Sequence, residues 1–265
     1  MNHPAPPVNR APPRARGARA NPRCGAADLF LANSFCSARR RRWPRHSQVR
    51  GQLRQQAIAT DDMAGNFWHS DVSCDPEPPL GSILYLREVS EVGGDTLFSS
   101  MYAAYEALSG PMKRLLEELT AVHSGEHIYR ARYPNNEVKD RSDYGYRRAG
   151  RFPISEHPVL RTHPETKRTA LYVNAGFTTR IKELEPDASQ AILDFLFKHI
   201  QRPEFCCRLR WRKNSIAFWD NRCVQHYAVF DYFPALRSGD RVTVAGDKPF
   251  YKTNLRSRKH NAAAE

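Results

Sequence analysis

No run of 18 apolar residues occurs in the 265-residue chain, which removes a membrane-spanning helix from the readings. The N-terminus lacks the apolar core that a secretory signal needs. None of the six cysteines (Cys24, Cys36, Cys74, Cys206, Cys207 and Cys223) forms a CxxC pair, so zinc-ribbon and thioredoxin-like sites are excluded. Reduced thiols in a cytoplasmic compartment are the plain reading. Lysine is missing from residues 1–60, where twelve Arg stand against a single acid, Asp28. The whole chain has 41 basic and 28 acidic residues, so the part after residue 60 is close to neutral. The net charge of +13 therefore describes a tail and not a folded surface.

That tail is rich in Pro and Arg, as in Pro4-Ala5-Pro6-Pro7 and Arg39-Arg40-Arg41-Arg42, and has little apolar periodicity. Such a stretch buries too little surface to offset its ordering entropy, so residues 1–60 are expected to be disordered or a misassigned N-terminal segment. A transit-like peptide is a further reading. A nucleic-acid arm is a weak one, because only Phe30, Phe35 and Trp43 interleave the basic residues. The folded part is expected at 61–252, with a basic tail at 253–265.

With 40% hydrophobic and 11% aromatic residues, the chain has material for a core. Gly81 to Leu86, Val159 to Thr162, Thr169 to Val173, Cys207 to Trp211, Ser215 to Trp219 and Arg241 to Ala245 read as strands. Met101 to Leu108 and Pro111 to Leu119 read as short helices, with Ser109 as a cap. Glu185 to Ile200 is the longest helix, its apolar stripe drawn through Ala191, Ile192, Phe195, Leu196 and Ile200. Short strands with helices inserted point to a mainly β sandwich or barrel.

His69-Ser70-Asp71 is the first chemical signal. In an extended segment, residues two apart share a face, so one imidazole and one carboxylate can grip one ion. A third ligand must come from far along the chain, and His226 is the best candidate. Two His and one carboxylate on one face of an octahedron leave three positions open, the arrangement of non-haem iron(II) oxygenases. The tripeptide alone is weak, since a lone His is more often a satisfied core residue.

The surrounding residues carry more. Trp68-His69-Ser70-Asp71-Val72-Ser73, Gly93-Gly94-Asp95-Thr96-Leu97-Phe98, Arg161-Thr162-His163-Pro164, Asn174-Ala175-Gly176-Phe177-Thr178 and Trp219-Asp220-Asn221-Arg222 through His226 stand in order. Together they resemble the taurine / 2,4-dichlorophenoxyacetate dioxygenase family over roughly residues 61–252. The resemblance implies a double-stranded β-helix (jelly roll) with helical insertions. It implies iron(II) on His69, Asp71 and His226, with 2-oxoglutarate and dioxygen as co-substrates. Thr96 and Arg237 would hold the distal carboxylate of 2-oxoglutarate, Trp219 would pack beside it, and Arg241 would meet the anionic group of a small substrate. That substrate would be taurine, an alkyl sulfonate or sulfate, or an aryloxy acid, and a homo-oligomer is allowed. A guanidinium fork suits a carboxylate in a partly dry pocket, and four extended residues separate Arg237 from Arg241 by about 13 Å, which serves two anions better than one. Two other accounts stay open: an inactive or unstable relative with an incomplete pocket, and a nucleic-acid-binding module driven by the tail.

Overall fold

A computed structural model describes residues 65–132 and 152–252, and before them the backbone of two strands, β1 (Leu29–Leu31) and β2 (Val49–Ala57). Then follow β3 (Gly81–Glu88), β4 (Thr96–Ser100), α1 (Met101–Glu106), α2 (Gly110–Leu116), β5 (Thr120–Ser124) and α3 (Glu126–Arg132). The second half holds β6 (Ile154–Pro158), β7 (Leu160–Thr162), β8 (Thr169–Leu171), β9 (Thr178–Ile181) and α4 (Pro186–His199). It ends with β10 (Cys206–Leu209), β11 (Ser215–Asp220), β12 (Val224–Ala228) and β13 (Arg237–Val244). The expected mainly β chain with inserted helices is what the described residues form.

The largest sheet is antiparallel in the order β1-β11-β3-β13-β2. A second runs β10-β4-β12, a third β6-β5-β9, and β7 pairs with β8. Trp219 on β11 meets Phe98 on β4 at 5.6 Å between ring centroids, so the first two sheets share a buried interior. Leu84, Leu86, Phe98, Met101, Leu116, Leu160, Leu171, Leu193 and Leu196 belong to the core cluster. No helix among the described residues is long and apolar enough to cross a membrane.

Two strands, Leu29–Leu31 and Val49–Ala57, precede the boundary drawn at residue 61. β2 pairs with β13 from Arg237 to Val244 and covers that edge of the sheet. The rest of 1–60 and the tail at 253–265 lie outside the described residues, as do the readings placed on them.

The helix starts follow their sequence signals. Ser100 and Ser109 cap α1 and α2, accepting from the N–H groups of Ala103 and Met112, and Pro111 sits in the first turn of α2. α4 is rotated from the expected stripe. It buries Ser189, Leu193, Leu196 and His199, while Phe195 and Ala191 are exposed. The two polar residues tolerate burial because each has a partner: Ser189 Oγ accepts from Ile181 N–H at 2.8 Å, and His199 Nε2 donates to the Ala104 carbonyl at 2.8 Å.

Candidate metal centre

His69 and His226 lie directly opposite each other in an isolated antiparallel bridge. Each N–H donates to the other's carbonyl, at 3.1 and 2.9 Å. Opposed residues send their side chains to the same face, and the two imidazole centroids are 4.2 Å apart. Asp71 does not continue a strand as the two-residue spacing suggested; it opens a turn over residues 71–74. That turn delivers its Oδ1 to 3.6 Å from Nε2 of both histidines.

All three side chains are buried. Burial outweighs the attraction of Asp71 and lowers the pKa of both imidazoles, that of His226 well below its ordinary value, and the other His and Arg241 deepen the shift at His226. Burial also disfavours the Asp71 carboxylate, but Arg241, the two histidines and the Ser82 hydroxyl together hold its pKa far below the usual carboxylate range. His69 Nδ1 donates to the Phe67 carbonyl at 2.8 Å, which leaves a lone pair on Nε2. Neutral nitrogens therefore converge on an ionised oxygen at distances too long for hydrogen bonds. A cation between them would supply what this cluster lacks. For ligand bonds near 2.1 Å, adjacent donors sit about 3 Å apart, close to the spacing seen.

The surroundings divide the labour of Asp71. Its Oδ2 receives the Ser82 hydroxyl at 2.5 Å and the Arg241 guanidinium, leaving Oδ1 for the histidines. Asn221 ties the group together: Oδ1 accepts from Trp219 Nε1 at 3.0 Å and from Asp71 N–H at 3.4 Å, and Nδ2 donates to Ser82 Oγ at 3.3 Å. The Trp219 ring packs against His226, with centroids 4.8 Å apart and planes tilted by 52°. Val72, next to Asp71, has φ of 47°. A β-branched residue in the left-handed region carries strain of order 1–3 kcal/mol, which persists only where neighbours impose it.

Arg237 and Arg241 both lie in β13, and Ser238-Gly239-Asp240 do not turn the chain. The pairing with β3 shifts register between Ser238 and Gly239. Arg241 approaches Asp71, and its carbon centre lies 5.7 Å from the Trp219 ring. Arg237 goes elsewhere, 5.7 Å over the ring of Trp211, with Tyr232 beside it. Burial lowers its pKa, its Nε is buried without a hydrogen bond, and among the described residues no carboxylate pairs with it. Trp211 Nε1 donates to Thr96 Oγ1 at 2.9 Å, so the Thr96 hydroxyl keeps its own proton to give. A buried guanidinium and a hydroxyl donor around one indole fit a carboxylate. Gly94 lies alongside: its φ of 69° suits glycine, and a Cβ there would press within 3.1 Å of Tyr232 Cδ1.

Ser82, Asn221 and Trp211 have larger parts than the sequence reading gave them. Ser82 had a usable signal, since it alternates with Leu84 and Leu86 onto one buried face, where a hydroxyl needs a partner. A second group, His163, Asp220 and Cys223, also brings ligand atoms within 4.8 Å of one another. It suits a metal poorly. His163 Nδ1 accepts from the N–H groups of Glu165 and Thr166, so Nε2 carries the proton facing Asp220 and no nitrogen lone pair remains. Asp220 is taken up by Arg222, whose Nε and Nη2 both reach it.

The family model described as taurine catabolism dioxygenase TauD, TfdA family, matches residues 31–244. A Schizosaccharomyces pombe protein bearing an alpha-ketoglutarate-dependent sulfonate dioxygenase name is 40% identical over 201 residues, 74% of this chain and 48% of that one. The alpha-ketoglutarate-dependent sulfate ester dioxygenase of Pseudomonas putida is 37% identical over 184 residues, 69% of this chain and 61% of the other. Among solved structures, AAD-2 in complex with Mn(II) and N-oxalylglycine superposes with a TM-score of 0.64 at 29% identity, covering 78% of this chain and 76% of its own. The chain spans about half the length of the first curated relatives it matches. By the match over residues 31–244, this chain belongs to the TauD/TfdA dioxygenase family.

Proposed function

We propose that the protein is an iron(II)- and 2-oxoglutarate-dependent dioxygenase that hydroxylates a small anionic organic substrate, with succinate and carbon dioxide as co-products. The observation that carries this reading is the convergence of His69 Nε2, His226 Nε2 and Asp71 Oδ1 in a buried place without a proton to share. Two imidazoles and one monodentate carboxylate suit ferrous iron with open positions better than a closed zinc site. Iron bound there would supply oxygen activation beside a chelated 2-oxo acid. Arg237 and Thr96 would anchor the far carboxylate of that acid, with Trp211 as the floor of the pocket. Trp219 packs on His226 and keeps water from that side. Arg241 has a dual place in this scheme: it neutralises Asp71 Oδ2, and it is the cation a substrate anion would meet. The relatives' sulfonate and sulfate ester chemistry supports an organosulfur acid as the substrate class. A double-stranded β-helix is the architecture this reading carries. The thiols of Cys74, Cys206, Cys207 and Cys223 suit a cytoplasmic setting.

The test is a panel of taurine, longer alkyl sulfonates, alkyl sulfate esters and aryloxy acids, incubated with the full chain, iron(II), 2-oxoglutarate and oxygen. Succinate formed in step with sulfite, sulfate or phenol release supports the proposal. A protein that binds iron(II) and 2-oxoglutarate, yet makes no succinate above background with any of them, refutes the substrate class.

A further inference from the structure

The turn that carries Asp71 is gripped from behind. Ser73 Oγ accepts from Asn174 Nδ2 at 2.9 Å and hydrogen-bonds His123 Nδ1 at 3.0 Å. The Cys74 carbonyl accepts from the Ser155 hydroxyl at 2.8 Å, and the Asp75 carbonyl accepts from His157 Nε2 at 3.0 Å. His123, Ser155, His157 and Asn174 are all buried, and they come from β5, from β6 and from the residues just before β9. On the other flank, Asn221 holds Asp71 N–H, and its carbonyl accepts from the Ser70 hydroxyl at 2.6 Å. Between these two fixed flanks stands one residue, Val72, at φ of 47°. An L residue with a branched Cβ leaves that conformation unless its neighbours forbid it. The turn's own closing bond, Asp75 N–H to the Val72 carbonyl at 3.0 Å, does not impose it, being compatible with ordinary backbone angles.

We propose that His123, Ser155, His157 and Asn174 are positioning residues of the metal centre. They hold residues 73–75 so that Val72 stays left-handed, and that conformation aims Asp71 Oδ1 at the two histidines. The inference rests on the reading of His69, Asp71 and His226 as metal ligands. The four residues touch neither metal nor substrate; they act through the direction of one carboxylate.

A purely structural role and a positioning role differ in one respect: only the second is relieved by removing the strain at Val72. The experiment titrates Mn(II) into the purified full chain and its variants by calorimetry, with metal-free melting temperatures measured alongside. His157→Leu and Ser155→Ala are each expected to weaken Mn(II) binding about tenfold, as loss of a support behind a ligand does. Val72→Gly added to either background is expected to restore affinity to within about threefold, because glycine adopts the left-handed region without help. His157→Gln, which keeps an N–H at the same end, is expected to bind nearly as the parent does. If His157→Leu does not fold, the Ser155→Ala pair makes the same comparison with one oxygen removed. Single variants that bind Mn(II) like the parent overturn the proposal, as does a double variant no better than its single. A parent chain that folds but binds no Mn(II) overturns the metal-centre reading itself, and this inference with it.

Discussion

Replacing Ser82 by alanine removes one buried hydroxyl that donates to Asp71 Oδ2 at 2.5 Å and accepts from Asn221 Nδ2 at 3.3 Å. A hydrogen bond to a charged group is worth about 1.5–3 kcal/mol, and about 1.4 kcal/mol corresponds to tenfold in affinity. Part of that is recovered by Arg241, which stays on the same oxygen. The expected loss in Mn(II) affinity is therefore about ten- to thirtyfold, within the range for supports behind metal ligands. The metal-free fold should lose about 1 kcal/mol, a drop in melting temperature of about 2–4 °C for a domain of this size. Ser82→Thr keeps the hydroxyl and should recover most of the affinity. Calorimetric titration and thermal melting, run on both variants, read the two quantities separately. An alanine variant that binds Mn(II) within twofold of the parent refutes the claim that Ser82 orients Asp71.

Arg237→Ala should raise the KM for 2-oxoglutarate about thirtyfold or more, the usual cost of leaving a buried charge without its partner, while Mn(II) affinity stays put; steady-state kinetics with varied 2-oxoglutarate checks it. Burial holds the His157 imidazole down at about 4, partly offset by hydrogen bonds to backbone carbonyls and reinforced by Arg161 and Lys248. The unfolded chain protonates near pH 6.5 and the folded one only near 4, so His157's contribution is full above pH 6.5 and is lost as the pH falls to about 4. That contribution amounts to roughly 3 kcal/mol. Urea melts at pH 7 and pH 4.5 should show it, and His157→Gln should flatten the profile by its share, leaving the shares of His123, His69 and His226. Arg222→Ala strips one of the two partners of the partly buried Asp220, leaving His163, and should cost about 1.5–3 kcal/mol in denaturant melts, with Arg222→Ala/Asp220→Ala less damaged than the single change.

Much of the site was legible because chemistry restricts residue type. His69, Asp71 and His226 do converge, and Arg237 and Thr96 both contact Trp211. What the sequence hid was pairing. His69 faces His226 across a bridge 157 positions long, and no local periodicity encodes that register. The two-residue rule brought His69 and Asp71 together for the wrong reason, since a turn and not a strand carries Asp71. The contact of the Arg241 guanidinium with Asp71 was not legible either, because it depends on how β13 sits against β3. The Pro- and Arg-rich start obscured β2, whose polar run from Val49 to Ala57 gains its place through hydrogen bonds to β13 rather than through an apolar signature. α4 misled for the opposite reason, because Ser189 and His199 look like surface residues until their partners are known.

The central claim is that two imidazoles and one carboxylate hold ferrous iron while Arg237 anchors a chelating diacid. An anaerobic visible-spectrum titration of the full chain with iron(II) and then 2-oxoglutarate tests it most directly. The account predicts a charge-transfer band that saturates at one equivalent and is absent in His226→Ala. Iron(II) binding with no band at saturating 2-oxoglutarate, or a band undiminished in His226→Ala, would contradict it.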